Sequence, residues 1–197
     1  MPLNASPDRR AQLVRVAFQL IAERGLEGLR FGDVARVAGI NNGTLLYYFP
    51  SKEALIQAVG AYLVEQFAET AWPTSASAPI EPRTQLRWEF ADAGQRLGSD
   101  LGVVYTELLA RAQRDPSVAR LLRDIDTNWA NWLRGFLTSG AQTGAFRPDI
   151  DVDLVVTTMM ACVRGVGMQA LIADDPRSLE PVMDAVAAMI DRWVAQA

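Results

Sequence analysis

The chain has 197 residues, half of them hydrophobic, and a formal net charge of −4. That is enough apolar material for a substantial core, in one large domain or a small one joined to a larger one. A single cysteine, Cys162, excludes an intrachain disulfide, and the lack of any histidine excludes Cys/His zinc sites and His-dependent nucleophilic catalysis.

MPLNASPDRR lacks the apolar run of a signal peptide. No stretch of membrane-spanning length is free of charges. A cytoplasmic protein that does not enter a membrane is expected, with no cofactor. The charge is uneven. Residues 1–60 hold seven basic and five acidic side chains, which leaves twelve basic and eighteen acidic for the remainder. A small DNA-facing head on an acidic body fits this asymmetry, and so does ordinary surface variation.

Ser6-Pro7-Asp8 reads as a helix start, with Ser6 as N-cap and Pro7 in the first turn. The helix presents Leu13, Val16, Ala17, Leu20 and Ile21 on one face and ends near Gly25. Arg9 and Arg10 near its start either reach a phosphate backbone or stay solvated.

The stretch FGDVARVAGINNGTLLYYFPSK, residues 31–52, reads as a short helix, a tight turn and a second short helix. Ala35 suits a close helix approach, Gly39 a helix C-terminus with positive φ, and Ile40 and Leu45 point inward. This is a helix-turn-helix pattern, whose second helix enters a DNA major groove. Its exposed side carries Asn41, Asn42, Thr44 and Tyr47, which suit base edges and phosphates. Asn41 either caps the helix or reads bases. Asn42, one position further in, reads bases. Gly43 lets the backbone approach DNA, and Thr44 offers a hydroxyl to phosphate and a methyl to thymine. Pro50 ends the helix and Ser51 caps the next one. Lys52, the chain's only lysine, then stands in a first turn where the helix dipole disfavours a cation, and a phosphate would relieve that.

AGINNGTLLYYFPSKEAL resembles the signature of the tetracycline-repressor (TetR) family of transcription regulators. Gly43-Thr44-Leu45, Tyr47-Tyr48-Phe49 and Ser51-Lys52-Glu53 all fall in place. The resemblance implies that Tyr47 and Tyr48 contact phosphate or groove edges, with Phe49 packed into the head, and it too points to Lys52 at a phosphate. Two departures stand out: Leu46 where the family usually has an aromatic, and Arg30-Phe31 where a threonine commonly caps the second helix.

Beyond the head, helical patterns run over 51–71, 83–97, 101–113, 116–139, 151–173 and 177–196, with breaks at 74–82 and 140–148. No strand alternation persists. GAFRPDIDVDL, residues 144–154, resembles the phrase before the eighth helix of many TetR-family regulators. Asp149, Asp151 and Asp153 alternate like metal ligands but lack the glycine and glutamate of a calcium loop, so a helix cap is expected. Residues 154–173 are apolar nearly all round, which calls for burial on both sides. With Val182, Val186, Met189, Ile190 and Trp193 on the final helix, this predicts a homodimer through the last two helices, the four-helix bundle that the family forms.

Trp129, Trp132 and Phe136 continue a stripe from Ile125, and Trp88, Tyr105, Met159 and Met160 are placed to face it. The set is either plain core or the lining of an adaptable apolar cavity. Arg164, in an otherwise apolar helix, needs a partner: Asp126, Glu107 or an anionic ligand.

The expectation is an all-α protein of about nine helices. Residues 1–50 form a three-helix DNA-binding head, and residues 51–197 a helical ligand-binding and dimerisation body. By resemblance it is a repressor, released from a pseudo-palindromic double-stranded operator by a small, largely apolar inducer. A regulator controlled by a protein partner or by no ligand, and a helical carrier or enzyme, are the other readings.

Overall fold

The structure is a computed structural model and describes residues 7–69, 81–175 and 180–195. Among these residues there are nine helices and no strand. They are α1 (Pro7–Arg24), α2 (Phe31–Val37), α3 (Asn42–Tyr48), α4 (Lys52–Glu69), α5 (Pro82–Leu97), α6 (Asp100–Ala112), α7 (Pro116–Thr143), α8 (Val152–Ala170) and α9 (Glu180–Val194). The expected Ser6 cap, most of the 74–82 break and the expected starts and ends of the last helix near 177 and 196 lie outside the described residues.

The described residues form two compact units, one within Met1–Ala71 and Val103–Ile125, the other within Trp72–Gly102 and Asp126–Ala197. The division does not follow chain order, because α6 and α7 each contribute to both.

In the first unit, α1 packs on α4 and α2, and α2 on α3. Leu13, Ala17, Leu20 and Ile21 of α1 are buried with Val34 and Ala35 of α2, Leu45 of α3, and Leu55, Val59 and Leu63 of α4. The i, i+3, i+4 spacing of these apolar positions makes one stripe on each helix and buries it. Phe18 meets Tyr62 edge to face, with ring centroids 5.4 Å apart.

In the second unit, α5, α8 and α9 pack on one another. Leu86, Phe90, Leu133, Phe136, Leu137, Phe146, Val155, Val156, Met159, Val163, Ile190 and Val194 fill its core. Here α7 runs four residues past the expected 139, through Gly140. That glycine packs rather than stops: a Cβ on it would fall within the Phe146 ring and 3.1 Å from Pro82. The helix ends instead before Gly144, whose φ is +78°.

Helix α8 ends at Ala170 rather than 173. One side is buried through Val155, Val156, Met159, Met160, Val163 and Val166. Its other side is uncovered in the single chain: Leu154 is 52% and Met168 56% exposed, with Ala161 and Gly165 exposed between them. On α9, Val182 and Met189 are exposed too. The expected burial on both sides is therefore not supplied within one copy.

Candidate nucleic-acid interface and ligand site

The turn between α2 and α3 is built by its backbone. Ile40 N–H donates to the Ala35 carbonyl (2.9 Å) and Gly39 N–H to that of Arg36 (3.2 Å), with Gly39 at φ +67°. This pairing satisfies the last carbonyls of α2 and requires a left-handed residue, which glycine supplies without a Cβ penalty. Asn41 caps α3: its Oδ1 accepts from Thr44 N–H (2.8 Å) and from the Thr44 hydroxyl (3.1 Å). The cap occupies only the amide oxygen and leaves the Asn41 NH2 as a donor. Arg30 holds the corresponding position at α2 without a side-chain cap, as the departure there implied.

This leaves the outward side of α3 open. Asn42, Gly43 and Tyr47 are exposed, Tyr47 at 61%, while Thr44 and Tyr48 are half-buried. The Tyr47 and Tyr48 rings stand edge to face at 5.5 Å, which limits the directions their hydroxyls can take. Leu46 and Val37 are about half exposed beside them. Leu45 and Phe49 are buried and anchor the helix from beneath.

Several cations of the head already have partners. Arg9 donates through Nη2 to the Ala38 carbonyl (3.0 Å), tying α1 to the end of α2. Arg10 lies over the Phe49 ring, 4.9 Å from its centroid. Arg36 pairs with Asp33 across one turn, at i, i+3 and 3.2 Å. Lys52 Nζ donates to the Leu26 carbonyl at 3.4 Å. That carbonyl eases the conflict with the helix dipole that the sequence assigned to a phosphate. Ser51 Oγ accepts from Ala54 N–H (3.1 Å), as the cap of α4. The Leu26 N–H in turn donates to Glu107 Oε2 of α6 at 2.7 Å. Both backbone groups of Leu26 are thus held, and Glu107 is committed there rather than to Arg164.

In the second unit Arg164 bonds Asp126, one of the three expected partners. Asp151 caps α8 through the Leu154 N–H (3.0 Å), while Asp149 pairs with Arg147 and Asp153 with Arg134. The alternating aspartates cap and pair, as expected. Of the residues expected to line a ligand cavity, Phe136, Met159 and Met160 lie in the buried core. Trp88, Trp129 and Trp132 are half-buried. Trp132 bridges Trp88 and Phe136, at 6.3 Å and 5.1 Å between ring centroids. Tyr105 belongs to the first unit, where its ring packs at 5.9 Å on Phe67.

Sequence reasoning missed Glu89. It is 6% exposed, the one buried charged side chain among the described residues, and its Oε1 accepts the Trp129 indole N–H. Burial pushes its carboxyl up to about 7, against the lowering effects of the Trp129 bond and the Arg96 charge. A signal was available. Leu86, Phe90 and Ala93 set the buried stripe of α5, and position 89 falls within it at i+3 from Leu86.

Residues 13–59 match the family model of bacterial regulatory proteins of the tetR family. Residues 89–195, over half of the chain, match that of the C-terminal region of BetI-type transcriptional repressors. The transcriptional repressor KstR2 of Mycolicibacterium smegmatis is 30% identical over 156 residues, covering 75% of this chain and 72% of that protein. The regulator BetI of Stenotrophomonas maltophilia is 31% identical over 127 residues, 62% of this chain and 64% of that one. A TetR transcription regulator from Haloarcula marismortui shares the fold with a TM-score of 0.85 at 20% identity, covering 97% of this chain and all of the other. A transcriptional regulator from Saccharomonospora viridis, solved with choline, superposes with a TM-score of 0.81 at 22% identity, over 91% and 95% of the two chains.

Proposed function

The chain belongs to the TetR family of bacterial DNA-binding transcriptional regulators, and we propose that it acts as a homodimeric repressor that leaves its operator when each body takes up a small molecule. The reading rests on one observation above the others. Helix α3 is fixed from beneath by Leu45 and Phe49 and at its start by the Asn41 cap, while Asn42, Thr44 and Tyr47 lie on its uncovered side. A helix held rigidly with polar groups outward is what major-groove reading requires. Asn42 is assigned to a base edge, where an amide can bond adenine at two points. The Asn41 NH2, the Gly43 backbone, Thr44 and the Tyr47 and Tyr48 hydroxyls are assigned to phosphates and groove edges. Lys52 sits beside them, its ammonium able to exchange the Leu26 carbonyl for a phosphate. Residues 1–50 are the reading head and 51–197 the regulatory body.

Two heads are needed to read successive half-sites about 34–36 Å apart. The uncovered apolar sides of α8 and α9 supply the surface through which two copies join. The inducer site is assigned to the second unit, around Trp88, Trp129 and Trp132, with Phe136, Met159 and Met160 behind them. The ligand favours the conformer whose heads no longer match the groove spacing, and it acts only through its difference in affinity between the two conformers. No helix among the described residues is long and apolar enough to cross a membrane, and a DNA-bound regulator works in the cytoplasm.

Footprinting on DNA flanking the protein's own coding region, together with its mass in solution, tests the reading. Two protected half-sites one helical turn apart, or a multiple of it, are expected from a dimer. A single protected half-site from a monomer would refute it.

A further inference from the structure

Leu46 is not used in the core of the head. Helix α3 is anchored by Leu45 and Phe49, which are 0% and 1% exposed, while Leu46 leaves half of its surface in solvent. It stands at i+4 from Asn42, so the two side chains share the outward side of the helix. The exposed residues of α3 are Asn42, Gly43, Leu46 and Tyr47, and Leu46 alone among them carries a wholly apolar side chain. Thr44, whose methyl is the other candidate for an apolar base contact, is half-buried, and its hydroxyl donates to Asn41 Oδ1 at 3.1 Å within the cap. Where the family usually has an aromatic side chain, this chain thus presents a branched aliphatic one to the DNA.

A major groove offers hydrogen-bond donors and acceptors everywhere except at the C5-methyl of thymine. A leucine pressed on a donor or acceptor strips its water and returns no hydrogen bond. Against a thymine methyl, both partners remove apolar surface from water. We propose that Leu46 is a specificity-determining residue that reads the C5-methyl of one thymine in each half-site. This rests on α3 entering the major groove, and it names a base that the polar side chains of the helix do not select. Four residues of α-helix rise about 6 Å and successive base pairs about 3.4 Å, which sets this thymine about two base pairs from the base that Asn42 bonds. Cytosine in its place presents an amino donor and no methyl, and is rejected.

The test uses duplexes of the footprinted operator in which one thymine at a time, in one half-site, is replaced by deoxyuridine. That exchange removes a single methyl and keeps every hydrogen-bonding group. Binding by the full-length wild type, Leu46→Ala and Leu46→Met is measured by fluorescence anisotropy at fixed salt, with thermal melting as the folding control. For wild type, deoxyuridine at one position should weaken binding roughly fourfold, the effect of about one buried methyl. Leu46→Ala, whose side chain stops short of the base, should bind the thymine operator more weakly and no longer distinguish it from the deoxyuridine duplex at that position. Leu46→Met, apolar and of equal reach, should keep the penalty. A wild type indifferent to deoxyuridine at every position overturns the assignment, and so does a penalty that Leu46→Ala retains in full. In both cases specific operator binding by the wild type leaves α3 as the reading helix. If the wild type shows no preference for the operator over unrelated DNA, both readings fail.

Discussion

The contact between Glu107 and Leu26 gives a stability effect that can be worked out in advance. Leu26 follows Gly25, whose φ of +70° turns the chain out of α1 and exposes the next peptide N–H. Glu107 Oε2 accepts that N–H at 2.7 Å, and a Cβ on Gly25 would lie 3.4 Å from both carboxylate oxygens, so the carboxylate sits closely over the turn. A hydrogen bond to a charged group contributes about 1.5–3 kcal/mol, and removing the carboxylate leaves this part-buried N–H without that partner. Glu107→Ala is therefore expected to destabilise the first unit by roughly 1–3 kcal/mol. In a chain of this size that lowers the unfolding midpoint by roughly 2–12 °C. Glu107→Gln keeps an acceptor of the same reach without its charge, and loses about half as much, because charge-assisted bonds are about twice as strong as neutral ones. Amide hydrogen exchange gives the local readout: the Leu26 N–H should exchange roughly 5–150-fold faster in Glu107→Ala. Equal Leu26 exchange in all three proteins would refute the reasoning, whatever the melting curves showed.

Glu89 gives the body a pH dependence of definite sign. Its folded carboxyl titrates at about 7, above the ordinary 4.5, so the folded chain holds a proton that the unfolded chain has released between those values. The burial cost is absent below about 4.5, grows as pH rises to about 7, and reaches about 3 kcal/mol beyond it. Glu89→Gln should melt higher than wild type at pH 8 and alike at pH 4; parallel pH profiles would count against this. Gly140→Ala places a methyl within the Phe146 ring and should destabilise the second unit by about 1–3 kcal/mol, read from denaturant midpoints; a variant of wild-type stability would mean that the ring moves freely. Gly39→Ala meets no atom within 4 Å but must hold φ near +67°, so a smaller loss of about 1 kcal/mol is expected from conformation alone, with operator affinity falling as the turn distorts.

The head was legible because its signals are local. Gly39 closes α2 and Asn41 caps α3 within four residues of the groups they satisfy, and the period of Leu13, Ala17, Leu20 and Ile21 is that of one helix face. What escaped the sequence lies in contacts distant along the chain. Nothing near Lys52 shows that the Leu26 carbonyl stands within its reach, and nothing near Arg10 shows that it lies over Phe49. Gly140 reads as a helix breaker, yet its missing Cβ accommodates Phe146, so α7 continues past it. Glu89 looks like any surface glutamate until its place in the buried stripe of α5 is counted. The apolar run of α8 predicts burial on both sides, and a single copy covers only one of them.

The central claim is that the outward side of α3 reads DNA. Fluorescence anisotropy across a salt series, on the footprinted operator, tests it with wild type, Asn42→Ala and Tyr47→Phe. Asn42→Ala should lose about 1–3 kcal/mol on the operator and little on unrelated DNA, as the loss of a base contact requires. Tyr47→Phe, which removes only an uncharged hydroxyl, should weaken both DNAs alike and leave the salt slope unchanged, because that slope counts neutralising cations. Wild-type affinity for the operator in both variants would contradict the account.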